Sequence, residues 1–295
     1  MIDRRNFIKL VWPFALFTAN PAFAFDIFKA LDPKGKSKDI QRAKTVFDGA
    51  SSIVASATDI DYDSEFAIGE SLALEGFKRY GLPVKNKKLQ KYVNLVGNSV
   101  AGNSLRPSIS YYFVVIDSPL YNAFACPGGI IFVSSALLKA MNDEAELACV
   151  LAHEVAHVGH KHALQSIKRA KFFEGVGKIS TVNMKGEDGK KFRSMIGGLQ
   201  ETLFDKGLDQ DMEYEADKSG MEIAYRTGYN PNGLVRVLKM LKEKEKTAKK
   251  KGSWFSTHPP LSERISKCLK NKEKYPDAAE LAEVKKRFSK YRKKL

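Results

Sequence analysis

The sequence has little cysteine and little histidine, and beyond its first 25 residues it lacks a long apolar run. Three cysteines among 295 residues are too sparse for a disulfide framework, although Cys126, Cys149 and Cys268 leave room for one bridge. Cys149 lies in an apolar stretch, which predicts that it is a small core residue. Since no segment after residue 25 predicts a membrane-spanning helix, we expect a soluble or peripherally membrane-associated protein with ample core.

Charge is strongly unbalanced, with a formal net charge of +15. Much of the excess lies in the lysine-rich runs of the C-terminal third, which are typical of solvated helix faces. Contact with an anionic membrane or cell wall is the alternative interpretation. No basic run interleaved with aromatic residues and no recognition-helix signature is present, so nucleic acid is not a predicted partner.

The first 24 residues have the order of an export signal. A charged start is followed by a short apolar run and by the small residues Ala22 and Ala24, which predicts cleavage after Ala24. The pair Arg4-Arg5 resembles a twin-arginine signal, with a general secretory signal as the alternative. An amphipathic helix retained in the fold is a further alternative.

Spacing and turn residues predict a mostly helical α+β protein. Residues 25–40 are expected to be a flexible lead-in, 41–271 one domain, and 272–295 a basic C-terminal helix. Strands are predicted at 109–117 and, as a hairpin around Pro127-Gly128-Gly129, within 122–134. Helices are predicted at 41–80, 87–101, 135–141, from the cap Asn142-Asp143 onward, and at 209–226, 231–249, 261–271 and 277–293.

Histidine is concentrated in one segment. Four of the five histidines lie between residues 153 and 162, and His153-Glu154-Val155-Ala156-His157 is an H-E-x-x-H pattern. Residues four apart share one helix face, so His153 and His157 can bind one zinc ion. The helix is apolar nearly all round, which predicts burial, and a buried charge needs a metal or another partner. A hydrogen-bonded core network without metal is the alternative.

The position of Glu154 predicts the chemistry of hydrolysis. It lies at the edge of the histidine face, where it can reach a water on the metal without being a ligand. Zinc would lower the pKa of that water, and Glu154 would take its proton and deliver it to the leaving amine of a cleaved peptide bond.

A catalytic zinc usually has a third protein ligand. His160 and His162 do not have metzincin spacing, so surface or supporting roles are expected for them, with His162 supporting a ligand. Glu213 and Asp217 share one face of a predicted helix. Glu213 could bind zinc, and Asp217 could accept a hydrogen bond from a ligand histidine. Glu215 is expected to face solvent, and a solvated acidic face is the alternative for all three carboxylates.

The combination of H-E-x-x-H with the later E-x-x-A-D resembles peptidase family forty-eight, the HtpX and CAAX prenyl protease-like zinc metallopeptidases. "YVNLVGNSV", "FVVIDSPLYNAFACPGGIIFVSSALL", "EYEADKSG" and "STHPPLSERI" are similar to family sequence and stand in family order, across about residues 65–267. The membrane spans of the integral-membrane members are missing from the sequence, so the resemblance is to the soluble, exported bacterial branch. It implies a zincin-like (gluzincin) fold with a small sheet beside the active-site helix.

The resemblance also implies roles for individual residues. It implies one zinc ion on His153, His157 and Glu213, with Glu154 as base and Asp217 supporting a ligand. It places a substrate-binding strand at Asn122, Ala123, Phe124 and Ala125, and puts His258 near the metal as a transition-state donor or an occluding ligand. Arg264 would anchor the segment around His258 by an ion pair.

The sequence therefore predicts an exported zinc endopeptidase with residues 41–271 as its zinc metallopeptidase domain. The periplasm is its expected compartment. Its expected substrates, unfolded or misassembled envelope proteins, follow from the resemblance and would make it a quality-control protease. A zinc-containing chaperone or assembly factor of the envelope with restrained proteolysis is the alternative. A basic surface-binding module with a structural metal is a third hypothesis, and Glu154 argues against it.

Overall fold

The computed structural model describes residues 61–169, 197–198, 200–247, 254, 258, 260–293 and 295. The predicted export signal, the lead-in at 25–40 and the first part of the helix predicted at 41–80 lie outside these residues. Within the described part of the chain, no helix combines the length and apolar character needed to cross a membrane.

Helices dominate the structure and surround one small sheet, as the predicted fold class requires. In chain order the elements are α1 (Tyr62–Tyr80), α2 (Lys87–Ala101), β1 (Tyr112–Ile116), β2 (Ala123–Cys126), β3 (Ile130–Ser134), α3 (Ser135–Ala140), α4 (Glu144–Gly159), α5 (His162–Arg169), a π-helical turn (Glu201–Lys206), α6 (Gln210–Thr227), α7 (Asn232–Glu245), α8 (Leu261–Asn271) and α9 (Lys285–Arg292).

The three strands pair in the order β1-β3-β2. β1 runs parallel to β3 with Tyr112 opposite Ile130, and β2 runs antiparallel to β3 with Phe124 opposite Phe132. A 3-10 turn at Pro127–Gly129 joins β2 to β3. Gly128 has φ 76° there, a left-handed conformation that glycine adopts without steric cost. The predicted hairpin is confirmed, and β2 lies at an edge of the sheet that the described strands form.

Both faces of the sheet are buried, which explains why the strands are apolar at consecutive positions. Val115, Ile131 and Val133 face a large core built with α2, α4, α6 and α7. On the other face, Phe132 packs in a second core with Phe77 of α1.

Helix α4 runs through the main core, and residues 144–158 are buried along its whole length. It begins where the sequence predicts, because the Asp143 side chain accepts a hydrogen bond from the backbone N–H of Glu146 at 2.9 Å. The Glu146 carboxylate accepts a reciprocal bond from the N–H of Asn142 at 2.8 Å. These bonds hold the start of the helix that carries the H-E-x-x-H pattern.

Helix α6 lies against α4, and the two helices make the most extensive helix pair of the fold. Gly220 permits this approach, because a Cβ there would come within 2.9 Å of the backbone N and Cα atoms of His153. The close packing brings the face of α6 that carries Glu213 to the histidines of α4.

The C-terminal segment differs from the helix predicted over 277–293. A 3-10 turn at Ala278–Glu280, a bridge between Ala282 and Tyr229, and left-handed backbone at Val284 delay the regular helix until Lys285. α9 is also tied to the main body, because Arg287 forms an ion pair with the buried carboxylate of Glu144.

All three cysteines are free and buried. Cys149 is a core residue, as predicted, and its Sγ lies 3.5 Å from the carbonyl oxygen of Asn230. The disulfide for which the sequence left room is not formed.

Candidate metal centre and catalytic cleft

His153 and His157 lie one turn apart on α4 and point to the same place. Their Nε2 atoms are 3.0 Å apart. Glu213 of α6 completes the group, with Oε2 3.6 Å from His153 Nε2 and Oε1 3.5 Å from His157 Nε2. The three side chains are buried. Donor atoms bound tetrahedrally at zinc distances of about 2.0–2.1 Å lie about 3.3 Å from one another, so these separations fit a single small ion.

His258 joins the same group from the segment that precedes α8. Its Nδ1 lies 2.8 Å from Glu213 Oε1, and the ring is buried. The four side chains each offer a donor atom within 4.8 Å of the others, so they could hold a metal ion together. The structure therefore places His258 beside His153, His157 and Glu213.

Glu154 lies next to this group without bonding to it. Both carboxylate oxygens are buried, and neither meets the geometry of a hydrogen bond with a described residue, although the indole N–H of Trp254 lies close by. Burial raises the pKa of Glu154, an effect that His258, His153 and this indole N–H partly offset. A buried carboxylate without a protein partner is costly unless water or a metal-bound group accompanies it, so this orphaned side chain fits a centre that holds a metal and its water.

Asp217 and Arg264 contact the side chains of the cluster: Asp217 lies against His153, and Arg264 lies against Glu213. Asp217 Oδ1 lies 3.0 Å from His153 Nδ1. The Arg264 guanidinium holds both oxygens of Asp217, at 2.6 and 2.8 Å, and its Nη1 lies 3.0 Å from Glu213 Oε2. Burial alone would raise the pKa values of Asp217 and Glu213, but nearby cationic groups, Arg264 among them, hold both values below their usual range. The predicted ion pair of Arg264 is confirmed.

Arg264 also connects the cluster to His258. Its Nη1 donates to the carbonyl oxygen of His258 at 2.8 Å. One buried guanidinium thus contacts Glu213, Asp217 and the backbone at His258. These contacts fix α6, α8 and the segment around His258 relative to one another.

Trp254 is a site residue that sequence reasoning missed. Its ring is fully buried and lies 5.3 Å from the His153 ring and 5.1 Å from the His258 ring, centroid to centroid. The Arg264 guanidinium stacks over it at 4.8 Å. The signal available in the sequence was its rarity, since the chain has two tryptophans and one stands four residues before His258.

The histidines that follow His157 have separate positions. His162 is buried, and its Nδ1 lies 2.8 Å from His157 Nδ1. His160 is half-buried, stacks on His162 and pairs with Ser219 Oγ at 2.9 Å. Glu215 is 53% exposed, in partial agreement with the prediction that it faces solvent, but its Oε2 lies 3.1 Å from His162 Nε2.

A cavity opens beside the cluster. Glu154, His157 and His258 line it together with Phe124 and Ala125 of the edge strand β2. The structure thus brings two of the four predicted substrate-binding residues into the cavity wall. Asn122 just before the strand and Ala123 at its start are buried and lie outside this lining.

Comparison with known proteins agrees with this geometry. The chain is 28% identical over 220 residues to the Beta-barrel assembly-enhancing protease of Yersinia pestis, covering 70% of this chain and 43% of that protein. It is 28% identical over 205 residues to the mitochondrial metalloendopeptidase OMA1 of Bos taurus, covering 65% and 38% respectively. It is 28% identical over 223 residues to the metalloprotease YcaL of Escherichia coli, covering 76% and 80%.

The chain thus spans less than half the length of the first two of these relatives. The model of peptidase family M48 matches residues 86–272, which is more than half of the chain and includes H-E-x-x-H, E-x-x-A-D and His258. The chain belongs to peptidase family M48.

Proposed function

We propose that the protein is an exported zinc endopeptidase. The observation that carries this proposal is the buried, unpartnered carboxylate of Glu154 beside a converging set of His153, His157 and Glu213. A structural metal site has no use for a free carboxylate at that position, whereas hydrolysis needs a base there.

His153, His157 and Glu213 would hold one zinc ion per chain. Bound zinc supplies a Lewis acid that polarises a peptide carbonyl and makes water a nucleophile near neutral pH. Glu154 then takes a proton from the attacking water and passes it to the nitrogen of the departing peptide, so that one water is consumed for each bond cut. The burial that raises the pKa of Glu154 makes it a better proton acceptor.

Asp217 and His258 would act around this centre. Asp217 Oδ1, 3.0 Å from His153 Nδ1, would accept the Nδ1–H of His153 when zinc is bound, which leaves His153 Nε2 free to face the metal, and the Arg264 guanidinium favours the ionised form of Asp217. His258 has two candidate roles, as a hydrogen-bond donor to the developing oxyanion and as a fourth ligand that fills the water position at rest.

An extended segment of the substrate would add along the edge strand β2. This strand pairs with β3 on one side, and its Phe124 and Ala125 face the cavity that Glu154 lines. Of the predicted residues Asn122, Ala123, Phe124 and Ala125, Asn122 already uses its backbone N–H and C=O on Ser134. Backbone hydrogen bonds along the strand itself would then position the scissile bond with little dependence on sequence. Such binding suits unfolded polypeptides.

The substrate class and the compartment follow from the relatives and the N-terminus. One relative is named for beta-barrel assembly, and residues 1–24 have the order of an export signal. We therefore place the protein in the periplasm, acting in quality control on unfolded or misassembled envelope proteins. Basic residues at 272–295 would allow peripheral contact with an anionic membrane or cell wall.

One observation favours a second candidate, an envelope chaperone or assembly factor with restrained proteolysis. The contact of His258 with Glu213 places a fourth donor in the cluster, where it would compete with water. In that case His258→Ala should increase hydrolysis, whereas a His258 that stabilises the transition state should lose activity when replaced.

The test is hydrolysis of casein by the purified protein, first after chelation and then after zinc is restored. The proposal predicts that chelation stops cleavage and that stoichiometric zinc restores it. If the zinc-loaded protein and its His258→Ala variant both leave casein intact but suppress its aggregation, the chaperone function is supported instead.

A further inference from the structure

A continuous line of polar contacts leads from His157 to the protein surface. His157 Nδ1 lies 2.8 Å from His162 Nδ1, and His162 Nε2 lies 3.1 Å from Glu215 Oε2. His162 is fully buried, and Glu215 is 53% exposed at the other end. The contacts join α4, the start of α5 and α6, and this line is separate from the one that runs from His153 to Asp217.

A neutral imidazole has only one N–H group. This fixes which atom donates in each hydrogen bond of this line once His157 binds a metal. A neutral imidazole that coordinates through Nε2 carries its hydrogen on Nδ1. His157 Nδ1 must then donate, so His162 Nδ1 must accept. His162 consequently carries its hydrogen on Nε2, and Glu215 is the acceptor that this tautomer needs.

We infer that His162 and Glu215 are positioning residues that raise the metal affinity of His157 by fixing its tautomer and ring orientation. The Glu215 carboxylate at the end of the line polarises His162, which makes His162 Nδ1 a better hydrogen-bond acceptor. The stronger bond makes His157 Nε2 a better electron-pair donor to the metal. The inference rests on the metal site of the proposed function and names residues of this chain that tune it.

The same geometry argues against a second cation among His160, His162 and Glu215, although their donor atoms also lie within 4.8 Å of one another. A cation on His162 Nε2 would move the hydrogen of His162 to Nδ1. Two N–H groups would then face each other across the 2.8 Å between His162 and His157. Loading of the main site therefore disfavours a second ion there, and His162 and Glu215 serve the first.

The test is the zinc dissociation constant, measured by competition with a chromophoric chelator. Glu215→Ala, at a half-exposed helix position, should weaken zinc binding about 10-fold, because loss of such a partner costs about 10–100-fold. Glu215→Gln restores a neutral acceptor and should recover part of the loss. Ser219→Ala is the matched control, since Ser219 contacts His160 instead of His162, and its affinity should stay within about two-fold of wild type.

A double-mutant cycle tests whether Glu215 acts through His162. The His162→Asn side chain keeps an oxygen near the position of Nδ1, so it still accepts from His157, but it cannot reach Glu215. In this background Glu215→Ala should have no further effect on zinc affinity. A full 10-fold effect there would show a through-space charge effect and would overturn the inference.

Three further outcomes would overturn the inference, and they separate it from the proposed function. An unchanged dissociation constant for Glu215→Ala would refute it while leaving the peptidase proposal intact, and so would two zinc ions per chain with the second lost in Glu215→Ala. A wild type that binds no zinc would refute both proposals. If zinc binding shows the predicted pattern but the protein cleaves no casein, the inference stands and the peptidase proposal fails.

Discussion

The Arg264 guanidinium binds both carboxylate oxygens of Asp217, with Nη2 2.6 Å from Oδ1 and Nε 2.8 Å from Oδ2. Both side chains are buried, and the same guanidinium reaches Glu213. A bidentate pair of this kind resists displacement, because two charge-assisted bonds must break together. Asp217 in turn contacts His153, so the pair ties the metal centre to α8.

The replacement Arg264→Met removes the charge but keeps much of the side-chain volume. We expect a loss of about 3–5 kcal/mol in the free energy of unfolding, because Asp217 and Glu213 would stay buried without their cation. Urea denaturation measures this. Lys270→Met on the exposed face of the same helix is the control and should change stability by less than about 0.5 kcal/mol. Equal effects of the two variants would contradict the account.

Zinc should stabilise the folded chain. At a free zinc concentration 100 times the dissociation constant, binding adds about 2.7 kcal/mol to the free energy of unfolding. At about 2–4 °C per kcal/mol for domains of about 150–250 residues, the melting temperature should rise by about 5–10 °C. Magnesium at the same concentration is the control, because it prefers oxygen ligands and should produce no shift. No response to zinc would argue against the site.

Gly220 sets the distance between the two helices that carry the ligands. Gly220→Ala should cost about 1–3 kcal/mol, because the new methyl group meets the backbone of His153 at 2.9 Å. It should also weaken zinc binding by displacing Glu213. Gly102→Ala is the control, since the nearest atoms there lie 3.6 Å away or more. A variant at Gly220 with wild-type zinc affinity would show that helix spacing does not control the site.

Alkaline stability depends on the buried network around Glu144. Its carboxylate accepts from the hydroxyl groups of Tyr92 at 2.8 Å and Tyr229 at 2.7 Å. Burial, reinforced by the charge of Glu144, raises the pKa of each tyrosine above the usual value for a tyrosine hydroxyl. Above pH 10 the tyrosine hydroxyls therefore lose their protons in the unfolded chain before they do in the folded chain. The contribution of these tyrosines to the free energy of unfolding is complete below that pH and is lost as pH rises.

Each of these tyrosines should contribute a slope of up to about 1.4 kcal/mol per pH unit above pH 10. Replacement of both by phenylalanine should lower stability at pH 8, because Glu144 loses two donors, and should flatten the decline between pH 10 and 11. Urea denaturation at pH 8, 10 and 11 measures both effects. A decline as steep as that of the wild type would contradict the pKa assignment.

Local patterns in the sequence predicted the elements that carry the metal centre. The spacing of His153 and His157 and the cap at Asp143 depend on residues within one or two helical turns, so the start and the buried face of α4 were predictable. Helix α2 was predicted over 87–101 and spans those residues in the structure. Glu213 and Asp217 could be paired for the same reason, since they are four residues apart.

The missed features depend on contacts between distant segments. Glu215 was expected to face solvent because its own helix turns it away from Glu213, but α5 brings His162 to it. Trp254 fills the space between His153 and His258, a role that no pattern within its own segment encodes. The late start of α9 similarly follows from the bridge between Ala282 and Tyr229.

Hydrolysis of casein by the zinc-loaded wild type and by Glu154→Gln is the most direct test of the central claim. Glutamine keeps the size of the side chain and leaves His153, His157 and Glu213 in place, but it cannot take a proton from water. We predict that both proteins bind one zinc ion per chain and that Glu154→Gln cuts about 10²–10⁴-fold more slowly. If the variant cleaves casein as fast as the wild type, Glu154 is not the base and the proposed mechanism is wrong.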